Sequence, residues 1–190
     1  MSKFIEPYRP EWKCQFDQIK NELEYALLDL PCRLDIQHVG STAVAGLWAK
    51  PILDIDIILE RQDQLNEVSF VLGRLGYNSR GDQGIPGRYA FRQSSEHTPL
   101  SPTKKSWPDH HLYVCLADSL ALKNHLFFRD ALRRDPYLAE QYSKLKRSLA
   151  DQSEVTRPEY MKRKTEFILS VLSLEGLNSR ELEEIRKANL

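Results

Sequence analysis

The stretch HVGSTAVAGLWAKPILDIDI, residues 38–57, decides how the rest of the sequence is interpreted. It ends inside the clearest candidate strand of the chain, residues 52–59, in which Asp54 and Asp56 alternate with leucine and isoleucine. Successive side chains of a strand point to opposite faces, so the two carboxylates share one face and lie about 7 Å apart. Both therefore point the same way from a hydrophobic strand.

Two carboxylates this close repel each other unless a cation or a proton lies between them. Oxygen ligands at this spacing suit a hard divalent cation, so we expect Asp54 and Asp56 to hold Mg2+ or Mn2+ and to act in catalysis. The same alternation also describes an ordinary half-buried strand with a solvated polar face. The aspartate pair alone does not decide between these two interpretations.

A second feature lies upstream, where a short candidate strand, residues 34–39, leads into Gly40 and Ser41 and then into a short helical segment. A strand that ends in Gly-Ser before a helix offers backbone N–H groups and a hydroxyl to a phosphate group. We therefore expect Gly40 and Ser41 to bind phosphate beside the carboxylate pair.

Helices and strands alternate along the rest of the chain. Apolar periodicity predicts helices over residues 11–30 and 62–75, and strands over residues 77–79, 88–93 and 111–116. After Ser119 the pattern is helical, over residues 119–134, 135–150, 158–174 and 179–189. The predicted fold is α/β: a small mixed sheet flanked by helices, residues 1–117, and a helical region, residues 118–190, that packs against it in one compact unit.

The run of residues 38–57 closely resembles the signature of the GrpB family, and HHLYVC, NHLFFRDALRRDP and the pair Tyr160/Lys164 resemble its remaining blocks. Gly-Ser followed by Asp-Ile-Asp also resembles the motif of the nucleotidyltransferase superfold. The resemblance covers most of residues 5–170. It implies a nucleotidyltransferase-like fold, with Gly-Ser at the phosphates of a nucleotide and the aspartates at magnesium.

Four basic side chains are further candidates for binding the phosphates of a nucleotide: Lys50, Arg88, Arg129 and Lys164. Lys164 lies one helical turn after Tyr160, so the two face one direction. Each also has an ordinary interpretation, since Lys50 could be a solvated loop lysine and Arg129 could pair with Asp130. The family resemblance favours the functional role for Lys50.

Polymerase-type members of the superfold carry a third carboxylate on a later strand, where this chain offers Asp109, His111 and Tyr113. His111 is a candidate catalytic residue, as a metal ligand or a base, because its side chain titrates near neutral pH. It could also be a structural histidine. The family strand often reads His-Leu-His where this chain has Tyr113, and the family often has proline where this chain has Ala45.

These residues are consistent with three functions. A nucleotidyltransferase would transfer a nucleotidyl group from a magnesium–nucleoside triphosphate to an acceptor, with the aspartates holding the metal. A phosphohydrolase would use water as the acceptor. The missing third carboxylate also suits a non-catalytic module that binds a nucleotide or phosphate or assists folding, since GrpB-like domains also occur fused to dephospho-coenzyme A kinases.

Composition narrows the partners. Lys plus Arg and Asp plus Glu both total 27, so no overall charge attracts nucleic acid or membrane. The three cysteines, Cys14, Cys32 and Cys115, are far apart and indicate reduced thiols. Without a leader or a long apolar run, the sequence predicts a cytoplasmic protein. We expect its ligand to be a nucleoside triphosphate or another phosphorylated small molecule, with a protein partner left open.

Overall fold

The computed structural model describes residues 5–31, 34–152 and 155–190. Within these ranges the strands are β1 (Asp35–Val39), β2 (Leu53–Leu59), β3 (Tyr77–Ser79), β4 (Arg88–Gln93) and β5 (His110–Leu116). The α-helices are α1 (Glu11–Leu27), α2 (Leu65–Arg74), α3 (Leu120–Arg134), α4 (Pro136–Asp151), α5 (Arg157–Leu174) and α6 (Ser179–Asn189). The α/β prediction is confirmed, and every predicted strand agrees with an observed one to within one residue at each end.

The strands form one mixed sheet in the order β1-β2-β5-β4-β3. Strands β2 and β5 are parallel neighbours at its centre, and the other neighbouring pairs are antiparallel. In this register Asp54 lies opposite His111 and Asp56 lies opposite Tyr113. The two central strands thus place the aspartates and the candidate β5 residues on one face of the sheet.

The opposite face of the sheet forms the main hydrophobic core with α1 and α2. Strand β2 contributes four side chains that are at most 1% exposed, Leu53, Ile55, Ile57 and Leu59. Helix α1 covers them with the stripe that its sequence predicts, Trp12, Phe16, Ile19, Leu23 and Leu27. Removing this apolar surface from water contributes about 25 cal/mol per Å2 and holds α1 and α2 against the sheet.

The aspartate face is covered by the later helices. Helix α3 lies against β1, because Arg129 donates to Gln37 Oε1 at 2.8 Å and to the backbone oxygen of His38 at 3.0 Å. Helices α4 to α6 pack around α3 through two smaller apolar clusters. The predicted division at residue 117 falls between β5 and α3 and stays a prediction. No described helix is long and apolar enough to span a membrane.

Helix α2 begins at Leu65 and not at residue 62, because Gln62–Gln64 form a short 3-10 turn. Two further helix ends differ from the prediction in their local hydrogen bonding. Helix α1 ends at Leu27 and not at residue 30, because the Leu30 N–H bonds to the Leu27 carbonyl in a tighter turn. Helix α6 is capped by Asn178 and not by Ser179, since the Asn178 side chain accepts from the N–H groups of Arg180 and Glu181. Both differences leave the site unaffected.

Candidate metal and phosphate site

Asp54 and Asp56 leave β2 on the same face but end in different surroundings. Asp54 Oδ1 accepts a hydrogen bond from His111 Nδ1 at 2.9 Å, and the Asp54 side chain is 32% exposed. Asp56 is fully buried, and its Oδ2 accepts from Nδ1 of His125, on α3, at 2.8 Å. Each carboxylate therefore has its own histidine partner, one exposed and one mostly buried.

Pairing with the carboxylates raises the pKa of both histidines. The hydrogen bond to Asp54 raises the pKa of His111, against the effect of burial. Burial lowers the pKa of His125, but the charge of Asp56 and the hydrogen bond to it outweigh this and raise the pKa overall. Between the two rings lies Tyr113, whose pKa is raised to about 12, mainly by burial. Tyr113 is therefore a protonated phenol at neutral pH.

Asp56 also carries an oxygen without a hydrogen-bond partner. Its Oδ1 is buried and accepts no hydrogen bond within the part of the chain that the structure describes. A buried carboxylate oxygen without a donor is costly, and a neighbouring cation removes that cost. The side chains present therefore fit the Mg2+ or Mn2+ that the sequence predicts at Asp54 and Asp56.

The Gly-Ser turn lies directly on the Asp54 carboxylate. Gly40 has φ of 70°, and a Cβ at this position would come within 2.2 Å of Asp54 Oδ2. Glycine is the one residue type that tolerates both this backbone conformation and this approach. Ser41 follows as the first residue of a short 3-10 helix. The turn thus brings a hydroxyl group and backbone N–H groups next to the carboxylate.

A cavity of about 190 Å3 lies between this turn and the helical layer. Its lining includes Gly40, Ser41, Asp54, His125 and Lys164. Burial lowers the pKa of Lys164, while the negative charge of Asp54 opposes that effect. The cavity therefore combines a carboxylate, a hydroxyl group and an ammonium group, of which the sequence predicted all three.

Lys146, a buried lysine of α4 next to Ser41, is a site residue that was not predicted from the sequence. Lys146 is 3% exposed and donates to Ser41 Oγ at 3.0 Å and to the backbone oxygen of Trp48. Burial, with a smaller effect of the Lys164 charge, lowers the pKa of Lys146 to about 7. Because Lys146 donates to Oγ, the hydrogen of the Ser41 hydroxyl group remains available to a ligand.

Lys146 and His125 both reach the site without having been predicted, yet each left a signal in the sequence. Lys146 continues the buried stripe of α4, which is otherwise Ala139, Tyr142, Ser143 and Leu149. His125 similarly lies three residues after Leu122 and four before Arg129, on the buried side of α3. A titratable residue at an apolar position of a helix is the pattern that could have identified each of them.

The structure does not bring the two predicted arginines to this cavity. The Arg129 guanidinium is 7% exposed and is held by Asp130 and by strand β1. The Arg88 guanidinium lies 4.7 Å from the centre of the Tyr113 ring and lines a separate cavity of about 390 Å3. Lys50 is exposed, and its charge acts on both His111 and Lys164. Of the four basic candidates, Lys164 thus lines this cavity and Lys50 acts on it by charge, whereas Arg88 acts on Tyr113 and His125 from the neighbouring cavity.

Comparison with known proteins identifies relatives over most of the chain. The sequence matches the family model described as GrpB protein over residues 3–173. The UPF0157 protein YqkA of Bacillus subtilis (strain 168) is 31% identical over 161 residues, 85% of this chain and 43% of that protein. The glutamate-rich protein GrpB of Alkalihalophilus pseudofirmus is 29% identical over 163 residues, 85% of this chain and 89% of that protein. The chain thus spans less than half the length of the first relative.

Solved structures give the same family and the wider fold. The crystal structure of conserved protein GrpB from Enterococcus faecalis has a TM-score of 0.71 at 29% identity, covering 97% of this chain and 99% of that one. A structure of Cid1 poly(U) polymerase with MgGTP bound has a TM-score of 0.57 at 11% identity, covering 87% and 50%. The second likeness shows the fold alone, and it confirms the predicted nucleotidyltransferase fold.

Proposed function

The chain belongs to the GrpB family, and on that premise we propose that it binds a magnesium–nucleoside triphosphate and transfers the nucleotidyl group to an acceptor. The carrying observation is one cavity in which Ser41 and Lys164 face the carboxylate of Asp54. Anion-binding groups beside an acidic pair suit a ligand that carries phosphates and a divalent cation together.

The size of the cavity indicates which part of the nucleotide it takes. At about 190 Å3 it is smaller than the roughly 300–1000 Å3 of typical ligand sites. It suits the phosphates and the cation, while the base and ribose extend into the adjoining cleft of about 760 Å3 that shares Tyr113. That cleft also contains His111, so the acceptor has access to the Asp54 side of the site.

Each polar residue then has a part in the reaction. Asp54 and Asp56 would hold Mg2+, which when bound neutralises charge on the phosphate oxygens. Gly40 and Ser41 bind phosphate oxygens through the backbone N–H groups and the hydroxyl group, and Lys164 offsets their charge. The acceptor hydroxyl oxygen bonds to the α-phosphorus. The bond between this phosphorus and the oxygen that bridges the α- and β-phosphates breaks, and pyrophosphate leaves. His111, oriented through Nδ1, takes the hydroxyl proton at Nε2.

A second function, binding without chemistry, is favoured by strand β5. Its three positions facing the aspartates carry His111, Tyr113 and Cys115, and none is a carboxylate. Polymerase-type members of the superfold have their third carboxylate on this strand. A module that retains the nucleotide and the metal but does not transfer the nucleotidyl group would keep every feature described here.

Nucleotide binding is the first test, measured by calorimetric titration of ATP with Mg2+. A hydrogen bond to a charged group contributes about 1.5–3 kcal/mol, so Lys164→Ala is expected to weaken binding about 10- to 100-fold. Lys144→Ala is the matched control, because Lys144 lies on α4, is 61% exposed and pairs with Glu140 at 3.5 Å. Equal losses of affinity in the two variants would mean that the nucleotide is held by nonspecific charge attraction and not by this pocket.

Pyrophosphate release then separates the two functions. With nucleoside triphosphate, Mg2+ and a set of candidate hydroxyl acceptors, the wild type is expected to release pyrophosphate and Asp56→Asn is expected to lose this activity. Binding without release in the wild type would favour the module. Release that survives Asp56→Asn would place any chemistry outside this site.

A further inference from the structure

A second constellation of potential metal ligands surrounds the buried aspartate. One carboxylate oxygen of Asp56, Sγ of Cys115 and a ring nitrogen of His125 all lie within 4.8 Å of one another. Cys115 follows Tyr113 by two residues on β5, which places it on the same face of the sheet as Asp56. Asp56 and Cys115 are 0% exposed, and the side chain of His125 is 22% exposed. The three groups thus come together from two strands and a helix.

An independent observation points to a ligand at this place. Asp56 Oδ1 is buried, and no donor in the described ranges reaches it, although the other oxygen is bonded to His125. Proteins rarely leave a buried carboxylate oxygen unsatisfied, because its desolvation is then uncompensated. A cation bound by the Asp56 carboxylate would compensate that desolvation.

The chemistry of the donor set selects the kind of cation. Mg2+ and Ca2+ take oxygen ligands almost alone, whereas Zn2+ takes thiolate, imidazole and carboxylate together. Three protein ligands with a free fourth position are the pattern of a catalytic zinc site, and a structural site is closed by four. His125 borders both the cavity of about 190 Å3 and the one of about 390 Å3, so both cavities adjoin the constellation on the side of His125.

We propose that Asp56, Cys115 and His125 form a binding site for a borderline-soft divalent ion of the Zn2+ class, with one coordination position open to the adjoining cavities. The site shares Asp56 with the proposed Mg2+ pair but holds whether or not the protein transfers a nucleotidyl group. The ion replaces the proton between His125 and Asp56 and the proton of the thiol group.

The surrounding charges allow a divalent ion here. Burial, and then the charge of Asp56, raise the pKa of the Cys115 thiol, so the ion must displace its proton. With the ion bound, the thiolate and the carboxylate contribute two negative charges, and the positive charge that acts on both Cys115 and His125 is that of Arg88. One guanidinium leaves the deprotonated ligand set with a net negative charge, which attracts a divalent ion, whereas in the absence of the ion protons occupy the thiol group and the His125–Asp56 pair. The thiolate also distinguishes this site from the carboxylate pair, which offers oxygen alone.

Cobalt spectroscopy tests the proposal on the full chain. Co2+ replaces Zn2+ with the same ligands, and a cobalt–thiolate bond gives a charge-transfer band in the near ultraviolet. We expect this band to saturate at one equivalent in a variant with Cys14→Ser and Cys32→Ser, in which Cys115 is the only thiol. Zn2+ is expected to abolish the band by displacement, and excess Mg2+ is expected to leave it in place.

Removal of single ligands completes the test. Loss of an outer partner of a metal ligand costs about 10- to 100-fold in affinity, so loss of the ligand in His125→Asn should cost at least about 100-fold. Cys115→Ser and Cys115→Ala should both abolish the band, and circular dichroism of the metal-free variants shows whether each remains folded. A folded single-thiol variant without the band, or a band that survives Cys115→Ala, would overturn the proposal. Nucleotide binding measured with Mg2+ alone tests the proposed function separately.

Discussion

The two faces of strand β2 are both covered by helices, yet they differ in what they bury. On the face toward α1 and α2, Leu53, Ile55 and Ile57 meet other apolar side chains and are nearly inaccessible to solvent. On the face toward α3, Asp56 is equally inaccessible but meets a histidine. Burial by itself therefore does not identify a hydrophobic core, because side chains buried to the same extent pack against apolar groups on one face and pair with an ionisable group on the other.

The polar face also contains charges that its fold does not fully compensate. Arg129 has Asp130 as an ion-pair partner, but Lys146 donates only to neutral oxygens, and the described residues give it no ion pair. A buried charge without a counter-ion lowers stability, whereas an incoming anion would supply one. The apolar face therefore stabilises the fold, and the polar face retains a binding site at some cost in stability.

The largest expected effect belongs to the apolar face. Ile57 is 0% exposed, and Ile57→Ala removes buried methyl groups and leaves a cavity, which lowers the free energy of unfolding by about 2–5 kcal/mol. Ile58→Ala is the matched control, because Ile58 is half-buried on the polar face of the same strand. Urea unfolding measures both. Equal losses in the two variants would mean that the polar face of β2 contributes as much packing energy as the apolar face.

The sequence predicted the apolar face better than the polar one, for a physical reason. The alternation of residues 52–59 shows which side chains share a face of the strand. Gly40 likewise marks a tight turn, and neither signal depends on how the rest of the chain packs. The partners of the polar face come from α3 and α4. Helical periodicity predicts only which side of each of these helices is buried. Which strand residue His125 or Lys146 meets depends on how the helix docks, which is set by tertiary packing and not by spacing.

The pH dependence of stability tests the buried charge of the polar face. The pKa of Lys146 falls from an ordinary 10.5 to about 7 in the folded protein, so between these values the unfolded chain binds the extra proton. The free energy of unfolding of the wild type should therefore rise with pH across this window relative to Lys146→Met, by a few kcal/mol, and the difference should be constant below about pH 7. Lys144→Met should show no such trend in urea unfolding, and parallel curves for wild type and Lys146→Met would contradict the burial of a charge.

The Gly-Ser turn provides a smaller effect that couples the fold to the site. Gly40→Ala places a methyl group against Asp54 in a backbone conformation that side chains avoid, with an expected loss of about 1–3 kcal/mol. Gly46→Ala is the matched control, since Gly46 has φ of 79° but no atom within 4 Å of the added Cβ. Both variants should lose stability through strain, but only Gly40→Ala should also weaken nucleotide binding in calorimetric titration. Equal nucleotide affinities of Gly40→Ala and Gly46→Ala would mean that the Gly-Ser turn does not bind the phosphates.

The smallest expected effect is the stabilisation by Mg2+, and it tests whether the polar face is a metal site. A ligand at ten times its dissociation constant adds about 1.4 kcal/mol to the free energy of unfolding, which is measurable as a shift in the unfolding temperature. Because the carboxylates supply the oxygen ligands, Asp54→Asn combined with Asp56→Asn is expected to abolish the shift. Asp63→Asn is the matched control, since the Asp63 side chain is 63% exposed and pairs with Arg61 outside both cavities of the site. A shift of full size in the double variant would mean that Mg2+ binds elsewhere. A divalent ion shared with Asp54 would then not explain why Asp56 is buried.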